Sequence, residues 1–221
     1  MRSARYVPLK AKMPNEPLLI LGTHNAKKGK ELYELLDRLP LNIRTLADCD
    51  KTLHVVEDGD SFEENAAKKA CQQAVHLNAW VLGEDSGLCV DALDGQPGIY
   101  SARFAGAEAG DPDNNQLLLE RMTAVPTARR MAHYVCHAIL ADPQGNIRGS
   151  ATGKCHGVIR REEVGTHGFG YDPLFEIREY HRTFGELGPQ LKRSISHRSR
   201  SITQLIPQIR DLLCQGHWTS E

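Results

Sequence analysis

The sequence predicts an α/β fold built on a mixed sheet. Short apolar runs alternate with helical apolar stripes from Leu18 to Met122, which is the signature of strand–helix layering. A strand–turn–strand pattern follows from His133 to about residue 153, which adds antiparallel pairing. The chain of 221 residues is long enough to bury a core without crosslinks.

Leu18-Leu19-Ile20-Leu21 is a buried strand that ends at Gly22. Asn25 then caps a helix whose Leu32, Leu35, Leu36 and Leu39 share one face, and Pro40 stops it. Ser61-Phe62-Glu63-Glu64 has the capping-box pattern and opens a second helix with a small-residue stripe at Ala66, Ala70 and Ala74. Trp80-Val81-Leu82 is a strand, followed by an acidic turn at residues 83–87 and another apolar run, Leu88-Cys89-Val90. Asp111-Pro112 starts a helix with proline at its first position. Asp142-Pro143-Gln144-Gly145-Asn146 is a hairpin turn, with a partner strand at 147–153. A glycine-rich loop with aromatics runs over 165–173. The last helix carries Ile202, Leu205, Ile206, Ile209, Leu212 and Leu213 on one face, with a kink expected at Pro207. Residues 1–17 read as a flexible extension and 18–216 as one domain.

Totals exclude several classes. Lys plus Arg is 27 against 28 Asp plus Glu, so no global basic excess advertises nucleic-acid binding. No run approaches the roughly 18 apolar residues that span a bilayer. The six cysteines form no C-x-x-C pair, which argues for free thiols and a reducing, cytoplasmic compartment.

Five segments carry chemistry. In Thr23-His24-Asn25-Ala26-Lys27-Lys28-Gly29-Lys30 a helix begins inside a polar loop, so free N–H groups, the helix dipole and lysines can cradle phosphate. The same residues also read as an ordinary capped helix with solvated lysines. Glu84 and Asp85 are paired carboxylates at a strand end, suited to a divalent metal and an attacking water; an acidic turn is the plainer alternative. Glu64 either closes its capping box or joins them as a magnesium ligand. Gly168-Phe169-Gly170-Tyr171-Asp172-Pro173 offers close backbone approach, stacking faces and an acceptor, or a turn with core aromatics. Lys192 to Arg200 is a basic cluster placed before the last helix, either solvated or donating to carbonyl and phosphate oxygens. His133 and His137 lack an evident third metal ligand.

In this order the motifs resemble the inosine triphosphate pyrophosphatase family. The resemblance rests on Thr23 to Lys28, Phe62 to Ala66, Glu84 to Leu88, Gly98 to Arg103, Gly168 to Pro173 and Ser196 to Arg198, and it runs from about Leu18 to about Leu213. It implies an elongated α/β fold with a central mixed sheet flanked by helices, a nucleotide cleft between two lobes, and a homodimer. It implies hydrolysis of non-canonical purine nucleoside triphosphates (ITP, dITP, XTP) to monophosphate and pyrophosphate, with Mg²⁺ or Mn²⁺. On this resemblance Thr23, His24, Asn25 and Lys28 hold the triphosphate and Ser86 touches substrate. Phe169, Gly170, Tyr171 and Asp172 frame the base, and Lys192, His197 and Arg198 read it. Glu64 helps hold the metal with Glu84 or Asp85, and Asp85 is the general base or a metal ligand. Two positions depart from the pattern: His24 replaces a loop glycine and Glu84 replaces an aspartate. A nucleotide sensor without turnover and a pyrophosphatase for modified pyrimidine nucleotides are the competing readings.

Overall fold

The computed structural model describes residues 16–218; the proposed N-terminal extension lies outside them except for Glu16 and Pro17. The elements in order are β1 (Leu18–Leu21), α1 (Ala26–Leu36), β2 (Asn42–Thr45), α2 (Phe62–Leu77), β3 (Trp80–Val90), α3 (Asp111–Arg121), β4 (Met131–Ala141), β5 (Ile147–Ile159), β6 (Phe175–Ile177), β7 (Arg182–Thr183), α4 (Phe184–Ile195) and α5 (His197–Cys214). The seven strands form one sheet in the order β2-β1-β3-β4-β5-β6-β7. β1 pairs in parallel with β2 and β3, and every later pairing is antiparallel. This is the expected mixed sheet.

Side chains alternate across a strand, and that alternation sorts the core. Leu19, Leu21, Trp80 and Leu82 pack with α1 and α5 on one face, against Leu32, Leu205 and Ile209. Ile20 and Val81 point to the other face, where α2 lays down Ala66, Ala70 and Ala74. A third cluster around Leu88, Leu118, Tyr134, Phe175 and Phe184 fills the end nearest α3 and α4. Trp218 stacks on Trp80 at 4.3 Å and is buried, so the packed unit reaches past residue 216.

The structure corrects five local expectations. The acidic stretch is no turn: Glu84 and Asp85 sit in the middle of the eleven-residue strand β3. Its glycines serve close packing, not a bend. A Cβ on Gly83 would lie 2.6 Å from both the Ala66 carbonyl oxygen and the Ala70 nitrogen of α2. We expect Gly83→Ala to lower unfolding free energy by about 1–3 kcal/mol, read by urea titration; an unchanged midpoint would mean that α2 shifts freely. The capping box of α2 is only half made. Ser61 Oγ accepts from Glu64 N (3.1 Å), but the Glu64 carboxylate takes Asp60 N (3.0 Å). The basic cluster does not precede the last helix: it spans the end of α4 and the first turn of α5. The hairpin partner β5 continues six residues beyond 153, to Ile159. At Pro207, α5 runs on as one helix to Cys214. All six cysteines are free thiols, with Cys136 and Cys155 buried.

Candidate active site

β1 delivers the chain to the polar loop, and Asn25 caps α1 by accepting from Lys27 N (3.0 Å) and Lys28 N (3.1 Å). Thr23 Oγ1 accepts from Asn25 N at 3.2 Å. His24 turns to the Leu53 carbonyl, with Nε2 at 3.3 Å. Thr23, His24, Asn25 and Lys28 line a cavity of about 670 Å³, and Glu57, Lys69, Asp85 and Ser86 line the same space. A positive helix end, lysines and carboxylates thus share one chamber, which suits a metal-bound polyphosphate.

Glu84 and Asp85 are neighbours on an extended strand, so they serve opposite faces of the sheet. Glu84 faces α1 and α5. Its carboxylate pairs with Lys28 Nζ (3.0 Å) and Arg198 Nη2 (3.2 Å), and Cys136 Sγ donates to it at 3.2 Å. Burial opposes its ionisation, but Arg198, Lys28 and Lys69 outweigh burial and hold the carboxyl well below the usual range. Asp85 faces α2, where Lys69 Nζ donates to Oδ1 at 2.8 Å. Burial pushes the Asp85 carboxyl up; Lys69 and Lys28 oppose that, and Glu57 adds to it. Lys69 also donates to Glu57 Oε2 at 2.9 Å. Burial pushes the Glu57 carboxyl up, but Lys69, Lys28 and a hydrogen bond with Asp85 together outweigh it and hold it below the usual range.

The expected metal trio of Glu64, Glu84 and Asp85 is therefore not assembled. Glu84 does not line the chamber, its carboxylate being paired with Lys28 and Arg198, and the exposed Glu64 carboxylate is folded back on Asp60. Among the described residues no group of three or more His, Cys, Asp or Glu could hold a metal ion by itself. Asp85 and Glu57 instead share the Lys69 ammonium at the wall of the phosphate chamber. Mg²⁺ is commonly held by one or two carboxylates plus substrate phosphates. A cation already sits between these two acids, so their donor chemistry fits the group.

The base-recognition residues gather at the other end of β3. Phe169 N donates to Asp172 Oδ2 (2.9 Å), which also accepts from Lys192 Nζ (2.6 Å). Lys192 Nζ lies 4.3 Å from the centre of the Phe169 ring. Arg198 is fully buried and donates through Nη2 to Ser86 Oγ at 2.9 Å. His197 stacks on Tyr134 at 4.6 Å. Burial, then Arg198 and Lys192, hold its imidazole well below the usual value, so it is neutral. His197 Nδ1 and Arg198 Nε are buried without a partner, as polar atoms beside a ligand site often are. Tyr171 offers less of a stacking face than expected. It is part of the core, and its hydroxyl donates to the Ser101 carbonyl at 2.8 Å. Phe169, Gly170, Tyr171, Asp172, Lys192, His197 and Arg198 line one pocket of about 100 Å³. His133 and His137 stand apart from it, with His137 Nδ1 3.1 Å from Thr152 Oγ1.

The Ham1 family model matches residues 19–208. The chain belongs to the Ham1 family. A Rhodopirellula baltica protein named dITP/XTP pyrophosphatase is 52% identical over 202 residues, 91% of this chain and 97% of its own length. One of the same name from Desulforamulus reducens is 46% identical over 184 residues, 83% and 91% of the two chains. The structure of a HAM1 protein from Coxiella burnetii superposes with a TM-score of 0.81 at 34% identity, covering 88% of this chain and 99% of that one. The Ham1 assignment agrees with the family resemblance read from the ordered motifs.

Two acids in this Ham1 chain escaped sequence reading. Glu57 lies in a coil where nothing marks it apart from Asp58 and Asp60. Glu31 reaches from α1 to Lys192 Nζ (2.9 Å) and to Arg198 Nη1. Burial raises its carboxyl less than Arg198 and Lys192 lower it. Its spacing three residues beyond Lys28, on the helix face that meets the site, was the available signal.

Proposed function

We propose that this chain hydrolyses non-canonical purine nucleoside triphosphates, dITP, XTP and ITP, to the monophosphate and pyrophosphate. One observation carries the reading. β3 presents Asp85 to the phosphate chamber on one face and holds Glu84 and Ser86 against Arg198 on the other, so a single strand ties chemistry to base recognition.

The triphosphate lies on the N-terminus of α1, contacted by Thr23, Asn25 and Lys28. Asp85 and Glu57 would hold Mg²⁺, which would supply charge neutralisation of the phosphates and a more acidic water. Asp85 accepts the proton of the water that attacks the α-phosphorus. Lys28 stabilises charge that gathers on the departing pyrophosphate. At the base, Lys192 and Arg198 are donors. They suit the 6-carbonyl of hypoxanthine and xanthine and mismatch the 6-amino group of adenine. Rejection of GTP rests on the fit of its 2-amino group.

A homodimer and a cytoplasmic location belong to the same proposal. Buried free thiols at Cys136 and Cys155 favour a reducing compartment, and sizing chromatography tests the dimer. No helix among the described residues is long and apolar enough to cross a membrane.

The test is pyrophosphate release from ITP, XTP, ATP and GTP, with Mg²⁺ and with EDTA. We expect metal-dependent release from ITP and XTP about 10–100-fold above ATP. Equal release from ATP would overturn the base reading, and release unaffected by EDTA would overturn the metal reading.

A further inference from the structure

We infer that Asp111 and Asn115 clamp the base-recognition loop, and that Asp111 is a positioning residue for the nucleotide. This rests on the hydrolase reading above and extends it to α3, an element that no sequence motif placed in the site. Gly170 sits between Phe169 and Tyr171 in the loop. Its N–H donates to Asp111 Oδ2 at 2.9 Å, and its carbonyl accepts from Asn115 Nδ2 at 3.2 Å. Asp111 and Asn115 are four apart, so they share one face of α3, and together they hold both polar groups of a single loop residue. The same Asp111 Oδ2 takes Lys27 Nζ at 3.2 Å. One carboxylate oxygen thus joins the loop that frames the base to the helix that begins at the phosphates. Asp111 also lines the pocket of about 100 Å³ at the base end.

The loop needs such a tether. Gly165, Gly168 and Gly170 all have positive φ (+85°, +81° and +61°), and glycine leaves the backbone free to take other conformations. Apart from the clamp, the Phe169 backbone is held through Asp172, its N–H donating to Asp172 Oδ2 and its carbonyl accepting from Asp172 N. Without Asp111 the loop spreads over more conformations, and substrate binding must order it. The reacting groups on β3 make no contact with Asp111, so the loss falls on binding and not on the chemical step.

The alternative is that Asp111 only favours the positive end of α3. Asp113 separates the two roles. Its Oδ2 accepts from Gly110 N at 2.8 Å in the same helical turn, and no hydrogen bond or ion pair among the described residues joins it to the loop. The experiment compares Asp111→Ala, Asp111→Asn and Asp113→Ala in the full chain. Steady-state pyrophosphate release from ITP gives kcat and KM, and amide exchange of Gly170 in ¹⁵N-labelled protein without nucleotide reports the clamp itself. Asp111 is half-exposed, with 48% of its side chain accessible, so its removal leaves the fold intact.

Asp111→Ala raises KM for ITP about tenfold, as loss of a charge-assisted hydrogen bond does, with kcat within about twofold, and it speeds Gly170 exchange. Asp111→Asn raises KM about threefold, because its side-chain oxygen still accepts from Gly170 while the ion pair with Lys27 is lost. Asp113→Ala lowers Tm and leaves KM and Gly170 exchange as in the parent. Equal KM changes in Asp111→Ala and Asp113→Ala, or unchanged Gly170 exchange in Asp111→Ala, would overturn the inference. A parent protein that releases no pyrophosphate from ITP would overturn the hydrolase reading instead, and the exchange measurement would still decide the clamp.

Discussion

Asp85→Asn lowers kcat for ITP by about 10³-fold, in the range expected when a general base is removed, while calorimetric titration still detects nucleotide binding. Asparagine has nearly the same shape and cannot take the proton of the attacking water. Lys69 keeps Glu57 as a partner at 2.9 Å, so the substitution leaves a paired ammonium and an intact wall to the phosphate chamber. The pH profile carries the same signature. Burial pushes the Asp85 carboxyl above its ordinary value, and Glu57 adds to the push against Lys69 and Lys28. The base form is lost as pH falls through that raised value. The parent therefore shows an acid limb in kcat that Asp85→Asn abolishes, and Mg²⁺ held at the same carboxylate would draw that limb to lower pH. Near-normal turnover in the variant would remove Asp85 from the mechanism.

Glu84→Gln lowers the free energy of unfolding at pH 7 by about 3–5 kcal/mol, the usual loss when one partner of a buried ion pair is removed. Glu84 is fully buried between Lys28 and Arg198, themselves nearly or wholly out of water, so solvent screens little of the interaction. Glutamine leaves Lys28 without its acid and Arg198 with Glu31 alone. The effect depends on pH in a defined direction. The folded state holds the Glu84 carboxyl well below its ordinary value, so its contribution is fully present above the unfolded pKa of about 4.3. It is lost as pH falls through the lower folded value. Urea titrations should show the gap between parent and variant undiminished at about pH 6 and closing only in strong acid. Coincident midpoints at pH 7 would show that the Glu84 pairs contribute nothing net. On the proposed reading, base discrimination weakens in the same variant, because Glu84 orients the Arg198 guanidinium.

Much of the scaffold was legible because it is written in neighbours along the chain. Asn25, Ser61 and Asp111-Pro112 mark helix starts, and Asp142 to Asn146 marks the hairpin. Each works through contacts spanning a few residues. The acidic stretch misread as a turn shows where this fails. Gly83 and Gly87 look like turn residues locally, yet each is glycine because a distant segment crosses it: α2 at Gly83, and Gly98 with Ser101 at Gly87. α4 was hidden because Gly188 (φ +74°) and Pro189 break its period, and β6 and β7 are three and two residues long.

The sequence by itself determined the mixed α/β class, the main helix starts, and the order of motifs that marks the family. Tertiary structure alone decided which acids act together. Glu84 and Asp85 are adjacent in sequence, but strand alternation sends one to Arg198 and the other to Lys69. Glu57, with no local mark, joins Asp85, and Glu31 joins Arg198. These partners lie far apart in the chain: 114 residues from Glu84 to Arg198 and 167 from Glu31 to Arg198. Propensity and capping act over one helical turn, whereas an ion pair is specified only when packing brings two faces together.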